Sequence, residues 1–162
     1  MKLLLFSDSH GNVANMADAV RLERPDRVLH MGDLARDAEE LARRFPDLPV
    51  TYVPGNCDGR RPDLPEERVF TLEGVKIFMT HGHTYHVKSG IALAVRAARE
   101  AGARLLCFGH THEALCDRAG PLWILNPGSI RGYFCTSYGV ITIAEDQLEC
   151  HTVRMDQDGK RR

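Results

Sequence analysis

The stretch MKLLLFSDSHGN (residues 1–12) contains the transition that decides the fold. Residues 3–6 form a short apolar run, which is typical of a strand buried on both faces of a sheet. After the polar segment that follows, apolar residues recur at helical spacing, at Val13, Met16, Ala17 and Val20. A strand that leads through a short loop into an amphipathic helix is the first half of a βαβ unit, so this stretch predicts an α/β fold.

The same alternation continues along the chain. Strands are predicted at residues 27–31 and 50–53, with a helix at 38–45 between them, which indicates a parallel sheet. A hairpin is predicted at 68–72 and 75–80, then a helix at 91–98 and a strand at 104–108. We expect three later runs to be antiparallel strands of a second sheet: residues 122–125, 138–144 and 148–153. Two sheets packed face to face, with the helices outside, accommodate both halves.

Composition narrows the class of protein. The chain has 162 residues, and we expect a single domain over residues 1–162. Its formal net charge is −1, which disfavours long nucleic acid as a partner. The apolar run at the start is too short to span a membrane, and the five cysteines form no CxxC pair, so we expect a cytoplasmic protein with reduced thiols and no membrane partner.

Residues that can bind metal ions follow directly after five of the predicted strands. In open α/β sheets the carboxyl ends of parallel strands share one edge, and ligand sites form there. If the five strands lie in one layer, their loops bring seven candidate ligands to one cleft: Asp8, His10, Asp33, Asn56, His81, His110 and His112. Any one of these histidines alone would be read as a surface or core residue, but their shared position argues for a site.

The residue types indicate the kind of ion. Imidazole and carboxylate together favour Mn, Fe, Zn, Co or Ni over Mg or Ca. Two ions about 3.5–4 Å apart need a bridging group, which a carboxylate provides. We therefore expect two divalent metal ions per chain, with Mn²⁺ first and Fe, Zn, Ni, Co or Mg as alternatives. Two aspartates against two divalent cations leave the site positive, which favours a phosphate anion.

The motifs, taken in order, resemble those of a known family. DSHGN (8–12), GD (32–33), GNCD (55–58), THGH (80–83) and GHTH (109–112), with NPGSIR (126–131), resemble the calcineurin-like metallophosphoesterases. The similarity is to their small bacterial and archaeal phosphodiesterase branch, which also carries GNCD. This resemblance implies a four-layer αββα sandwich of two mixed β-sheets flanked by helices.

The resemblance also implies roles for the candidate ligands. One metal would be held by Asp8, His10, Asp33 and His112, and the other by Asp33, Asn56, His81 and His110. Asp33 would bridge the two metals, and a shared hydroxide would attack phosphorus in line with the leaving oxygen. Asp33, Asn56 and His81 are expected to be catalytic as well as metal-binding. Members of this branch often form dimers or tetramers, so a homo-oligomer is compatible with the sequence.

Two positions differ from the wider superfamily. Its monoesterases carry a histidine after the Asn, oriented by an Asp three residues after the bridging Asp, whereas this chain has Cys57 and Arg36 there. A thiol is a weak hydrogen-bond partner, so we expect a preference for small phosphodiesters over monoesters. Asn12, Cys57 and His83 are candidates for contact with the substrate or with the ligands. For Asn12 the alternative is a helix cap, and for His83 a purely structural role.

Two other functions remain open from the sequence. One is a catalytically weak or inactive scaffold, because a eukaryotic retromer subunit resembles this fold and uses the region chiefly for protein contacts. In such proteins some ligands are typically substituted, whereas all seven are present here. The other is a single structural zinc site, which needs fewer ligands than this set supplies.

Overall fold

The computed structural model describes residues 1–132, 135–145 and 147–155. Its strands and helices alternate in the first half and its last part is mostly strand, as the sequence predicts. The strands are β1 (Lys2–Phe6), β2 (Arg27–His30), β3 (Val50–Tyr52), β4 (Glu67–Leu72), β5 (Val75–Thr80), β6 (Leu105–Cys107), β7 (Ala114–Ala119), β8 (Leu122–Pro127), β9 (Thr136–Ala144) and β10 (Gln147–Met155). The α-helices are α1 (Val13–Glu23), α2 (Ala35–Arg44) and α3 (Ala92–Glu100).

Two mixed five-stranded sheets form the centre of the molecule. Sheet A has the order β10-β9-β1-β2-β3, and sheet B has the order β4-β5-β6-β8-β7. In sheet A, β1, β2 and β3 are parallel, while β9 runs antiparallel to β1. In sheet B, β5, β6 and β8 are parallel, and β4 and β7 are antiparallel edge strands.

Alternation along β1 shows how the layers form. Leu3 and Leu5 belong to the apolar cluster between the sheets, whereas Leu4 and Phe6 pack in the cluster that contains the buried face of α1. On the other side, the buried residues of α3 pack against the outer face of sheet B. The four-layer αββα sandwich is therefore confirmed.

Four details differ from the sequence expectations. Strands β9 and β10 extend sheet A beside β1 rather than joining the second sheet, and β8 runs parallel to β6. Strand β7 was missed, because most of its residues are exposed and its apolar residues do not alternate with polar ones. The five strands that carry the candidate ligands lie in two sheets, not one.

The carboxyl ends of the parallel strands of both sheets meet at one edge of the sandwich. The backbone N–H of His110, after β6, donates to the Asp8 carboxylate, after β1, at 3.0 Å. Ser129 Oγ, after β8, donates to the Asp8 carbonyl at 2.8 Å. These contacts bring the loops of the two sheets together. Within the residues described, no helix is long and apolar enough to cross a membrane.

Candidate metal centre

The seven candidate ligands converge at the shared edge of the two sheets. The ligand atoms of Asp8, His10 and His112 lie within 4.8 Å of one another, and so do those of Asp33, His81 and His110. Asn56 Oδ1 lies 3.2 Å from His81 Nε2, so Asn56 joins the second group. The structure thus separates the side chains into the two sets that the family resemblance implies.

Asp33 lies between the two groups. Its carboxylate belongs to the second group and also lies within 4.8 Å of the ligand atoms of His10 and Cys57. Asp33 Oδ1 accepts a hydrogen bond from the Cys57 backbone N–H at 2.8 Å, and Oδ2 lies 3.5 Å from His81 Nε2. Although burial opposes ionisation, the His81 ring and the Cys57 N–H hold the pKa of Asp33 well below its usual value. Asp33 is therefore an anion whose carboxylate lies close to both groups of candidate ligands.

Asp8 is a fully buried carboxylate that several donors hold in place. Its Oδ2 accepts from Ser7 Oγ at 2.5 Å and from the His110 N–H at 3.0 Å. Burial works against ionisation, but His112, His81 and Ser7 together lower the pKa of Asp8 below its usual value. Asp8 is consequently charged, and its position is coupled to the GHTH loop of the opposite sheet.

The His81 ring is oriented by a backbone carbonyl. His81 Nδ1 lies 2.6 Å from the Met31 carbonyl oxygen, which can only accept, so Nδ1 carries the proton. In the neutral ring, Nε2 therefore has a free lone pair that faces Asn56 and Asp33. Histidines that bind metals commonly donate their second nitrogen in this way. Burial lowers the pKa of His81, but Asp33 and Asp8 outweigh it and raise the pKa above the usual value.

The two histidines of GHTH have different surroundings. Burial, His81 and Lys88 lower the pKa of His110 to about 4, so its ring is neutral near pH 7. The adjacent Asp8 carboxylate raises the pKa of His112, although partial burial opposes this shift. His110 lies next to His81, with ring centroids 5.0 Å apart, whereas His112 lies next to His10, at 5.4 Å. The pair therefore contributes one ring to each group.

Five of the seven candidate ligands have left-handed backbone conformations, with φ between 44° and 68°: Asp8, His10, Asp33, His110 and His112. Such conformations are uncommon for residues with a Cβ and persist only where the surroundings impose them. Clustered outliers of this kind are typical of functional sites. The loops are therefore shaped to place these side chains rather than to relax the backbone.

Two glycines let the loops approach closely. Gly32 has φ of +95°, a conformation that glycine adopts readily, and it turns the chain directly before Asp33. Gly109 does not need such a φ, and its role is close packing, since a Cβ there would overlap the Ser7 hydroxyl and approach the Asp8 carboxylate. The absence of a side chain at Gly109 thus allows the loops of sheets A and B to meet.

The donor set fits divalent transition metals. In the described part of the chain, Asp8 Oδ1 and His10 Nε2 are buried atoms without a hydrogen-bond partner. Asp8 Oδ1 lies 3.1 Å from His112 Nε2, but the contact lacks the alignment of a hydrogen bond. Buried polar atoms are normally satisfied, so these two atoms indicate a further partner such as a cation. Their chemistry, carboxylate with imidazole, suits Mn, Fe, Zn, Co or Ni.

A buried hydrogen-bond chain lies beneath the Asp8 loop and includes a residue that the sequence analysis missed. His30 Nδ1 accepts from the Gly32 N–H at 3.1 Å, so its Nε2 donates to Ser9 Oγ at 3.0 Å. Ser9 Oγ in turn donates to Asp37 Oδ2 at 2.7 Å, and Gly11 N–H donates to the same oxygen at 2.7 Å. Asp37, on α2, thereby fixes the loop that carries His10. In the sequence, the signal for this role is that the Asp37 carboxylate lies among the apolar positions of α2.

The remaining candidates have mixed placements. Asn12 caps α1, accepting from Asn15 N–H at 3.1 Å, and donates to the Arg131 carbonyl at 2.7 Å, so the structure favours the capping alternative. Asp58 accepts from three backbone N–H groups and orders its loop. His83 borders the second group, 5.4 Å from His81 between ring centroids, and pairs with Glu66 at 3.3 Å.

The Cys57 side chain is close to the ligands. Its sulfur lies within 4.8 Å of the ligand atoms of His10 and Asp33. Burial, with the Asp33 carboxylate beside it, raises the pKa of Cys57 above its usual value, so the group is a thiol at neutral pH. The position that carries a histidine in monoesterases therefore holds a protonated, weakly donating side chain.

The two-sheet sandwich and the paired groups of candidate ligands agree with the calcineurin-like resemblance of the motifs. Residues 1–146 match the model of the calcineurin-like phosphoesterase superfamily domain. The chain belongs to this superfamily.

Relatives and a solved structure agree with this assignment. The chain is 35% identical to the probable metallophosphoesterase YsnB of Bacillus subtilis, over 98% of this chain and 93% of that protein. It is 27% identical to the phosphodiesterase MJ0936 of Methanocaldococcus jannaschii, over 82% of this chain and 86% of that one. The crystal structure of Chaetomium thermophilum Vps29 has the same fold, with a TM-score of 0.83, 19% identity, and 100% and 95% of the two chains covered.

Proposed function

We propose that this phosphoesterase hydrolyses small phosphodiesters at a centre of two divalent metal ions, with Mn²⁺ the first choice. One group, Asp8, His10 and His112, would hold one ion, and the other, Asn56, His81 and His110, would hold the second. The observation that carries the proposal is the position of Asp33, whose carboxylate reaches the ligand atoms of both groups. When bound, the metals supply water ionised near neutral pH and neutralise charge on the phosphoryl group.

The residues around the ions prepare the site for this chemistry. Met31 accepts from His81 Nδ1 and so directs Nε2 into the centre. The low pKa values of Asp8 and Asp33 keep both carboxylates anionic, and the low pKa of His110 keeps its lone pair available. These states are those that metal binding requires, so the protein does not have to lose protons from these groups first.

The substrate preference follows from position 57. A Cys57 thiol with a raised pKa is a poor proton donor to a departing oxygen. Without an imidazole acid there, substrates whose leaving group departs with little help are favoured. We therefore infer a preference for diesters, above all those with acidic leaving groups, over monoesters.

A paired aryl-ester assay tests the proposal. Protein stripped of metal and reloaded with Mn²⁺ is given bis(p-nitrophenyl) phosphate and p-nitrophenyl phosphate. We expect a higher kcat/KM for the diester, loss of activity in His81→Ala, and retention in His151→Ala, where an exposed histidine on β10 is removed. Dominant monoesterase activity in the wild type would contradict the inferred preference.

The alternative function is a scaffold. The likeness to Vps29 concerns the fold alone at 19% identity, and it is the observation that keeps this alternative in view. A scaffold does not need a complete ligand set with two unpartnered buried ligand atoms, Asp8 Oδ1 and His10 Nε2. Fewer than two metals per chain, together with no hydrolysis of either ester, would favour the scaffold.

We further propose that the protein acts in the cytoplasm on small diesters rather than on long nucleic acid or at a membrane. The formal net charge of −1 argues against long nucleic acid as the substrate, because proteins that coat nucleic acid are strongly basic. Association into a homodimer or homotetramer belongs to the same proposal, and sedimentation equilibrium of the Mn²⁺-loaded protein tests it.

A further inference from the structure

A cleft of about 400 Å³ lies on the side of the sandwich where the edge strands of the two sheets meet. Strand β3 ends sheet A and β4 ends sheet B, and Arg68 Nε, on β4, donates to the Tyr52 carbonyl, on β3, at 2.9 Å. The lining comes from β2, β3 and β4 and includes none of the candidate metal ligands. Its volume is within the range of small-molecule sites, about 300–1,000 Å³.

Two arginines enter this cleft from the inner faces of the two sheets. Arg27 pairs in register with Leu3, which lies in the apolar cluster between the sheets, so the Arg27 side chain leaves β2 on that inner face. Arg68 is on the same face of β4 as Phe70, which packs against the same cluster. Arginines at the margin of an apolar interior normally have a compensating partner.

Neither guanidinium forms an ion pair with a carboxylate of the described residues. Arg27 Nη1 donates to Thr51 Oγ1 at 3.3 Å, and Arg68 Nε donates to the carbonyl of Tyr52, so neighbouring residues of β3 hold the two arginines. None of the residues that line the cleft is acidic. Two guanidinium charges at one cleft repel each other, and an anion between them removes this repulsion.

Arg27 also has an unused edge. Its Nε is a buried atom without a hydrogen-bond partner in the described part of the chain. Buried polar atoms are normally satisfied, so this N–H indicates a ligand. The Nε and Nη2 atoms of a guanidinium present two parallel N–H groups, which bind phosphate or carboxylate bidentately. Because Thr51 occupies Nη1, this edge of Arg27 is the one left for an anion.

We propose that this cleft binds a small phosphate monoester at a site separate from the metal centre. A dianionic phosphate group balances the charges of Arg27 and Arg68, whereas a single carboxylate balances one of them. The organic part of the ligand lies against Phe70 and Leu72, two apolar side chains of the lining. The site is independent of the proposed phosphodiesterase function, because it uses none of the candidate metal ligands.

Calorimetry with phenylphosphonate, a phosphate-ester analogue without a hydrolysable P–O–C bond, tests this site. The full chain is titrated in chelator, which removes any binding that depends on the metals, and again when loaded with Mn²⁺. Benzoate supplies the same ring with a carboxylate. The variants are Arg27→Gln, Arg68→Gln and Arg27→Lys, which keeps the charge without the paired N–H groups. Arg96→Gln is the matched control, because it removes an equal charge from α3, where the side chain is 70% exposed.

In chelator we expect one phenylphosphonate per chain, bound about tenfold more tightly than benzoate. Each Arg27 or Arg68 variant weakens this binding by about tenfold or more, and Arg96→Gln leaves it unchanged. In the Mn²⁺-loaded protein the same variants remove one bound phenylphosphonate per chain.

Thermal unfolding in chelator shows that the variants are folded. Phenylphosphonate raises the Tm of the wild type and of Arg96→Gln, but not that of Arg27→Gln or Arg68→Gln. No binding in chelator, or binding that survives both substitutions by Gln, overturns the site. Benzoate bound as tightly as phenylphosphonate overturns the assignment to a phosphate group.

Discussion

Replacing Asp37 by alanine tests how the protein builds its metal centre. Asp37 is only 4% exposed and accepts two hydrogen bonds of 2.7 Å, from Ser9 Oγ and Gly11 N–H. In Asp37→Ala both donors lose this partner inside the protein, at about 1–3 kcal/mol for each unsatisfied group. The Ser9 hydroxyl can turn toward the Asp33 carbonyl, 3.4 Å away, which lowers the cost of its lost hydrogen bond. We therefore expect a destabilisation of about 2–4 kcal/mol.

The same substitution should weaken metal binding. The loop from Ser9 to Gly11 carries His10, and groups that orient ligands typically affect metal affinity by about 10–100-fold. We expect a loss of this size in Mn²⁺ affinity for Asp37→Ala, measured by calorimetry, with the free energy of unfolding measured in urea with chelator. Asp37→Asn keeps an acceptor oxygen, so it should lose less Mn²⁺ affinity and less stability than Asp37→Ala.

A matched control separates this effect from the general loss of a carboxylate. Asp18→Ala, on α1, removes an exposed acid whose ion pair with Arg21 is surface-exposed, so its effect should be below about 1 kcal/mol. If Asp37→Ala is as stable as Asp18→Ala, the hydrogen-bond argument is wrong. If it is destabilised but binds Mn²⁺ with wild-type affinity, Asp37 supports the fold without positioning the ligands.

Three further predictions concern packing, pH and the missing acid. Gly109→Ala should lower Mn²⁺ affinity more than about tenfold, because its Cβ would overlap Ser7 Oγ; calorimetry with unchanged affinity would refute this. Burial lowers the pKa of His30 from 6.5 to about 4, so the unfolded state binds a proton first as the pH falls. His30 should then contribute a drop of up to about 3 kcal/mol in the free energy of unfolding in chelator between pH 6.5 and 4, and His30→Gln removes this contribution whereas His151→Gln retains it. Cys57→His should raise monoesterase kcat/KM with metal content intact, and no gain would argue against a missing leaving-group acid.

The sequence predicted the convergence of the candidate ligands because the position of each one at a strand end can be read from neighbouring residues. An apolar run followed directly by Asp or His identifies a strand end, and residues such as Asp8 and His81 could be assigned one loop at a time. The sheet partners of β9 and β10 could not be assigned in this way, because strand pairing joins distant segments and an apolar run does not show which strand lies beside it.

Features that depend on contacts between distant segments were also beyond the sequence. Asp37 is buried because Ser9 and Gly11, 28 and 26 positions away, donate to it. Asn12, at the start of α1, donates to the Arg131 carbonyl, 119 positions later. Neither pairing leaves a periodic pattern in the sequence, so neither contact was predicted.

The metal stoichiometry tests the central claim most directly. Protein stripped with chelator is titrated with Mn²⁺ by calorimetry, and electron paramagnetic resonance reports whether bound ions are coupled. The account predicts two Mn²⁺ per wild-type chain with a coupled spectrum, and loss of the coupled spectrum in Asp33→Ala, which removes the carboxylate that lies between the two groups. A single ion per chain, or two uncoupled ions in the wild type, would contradict it.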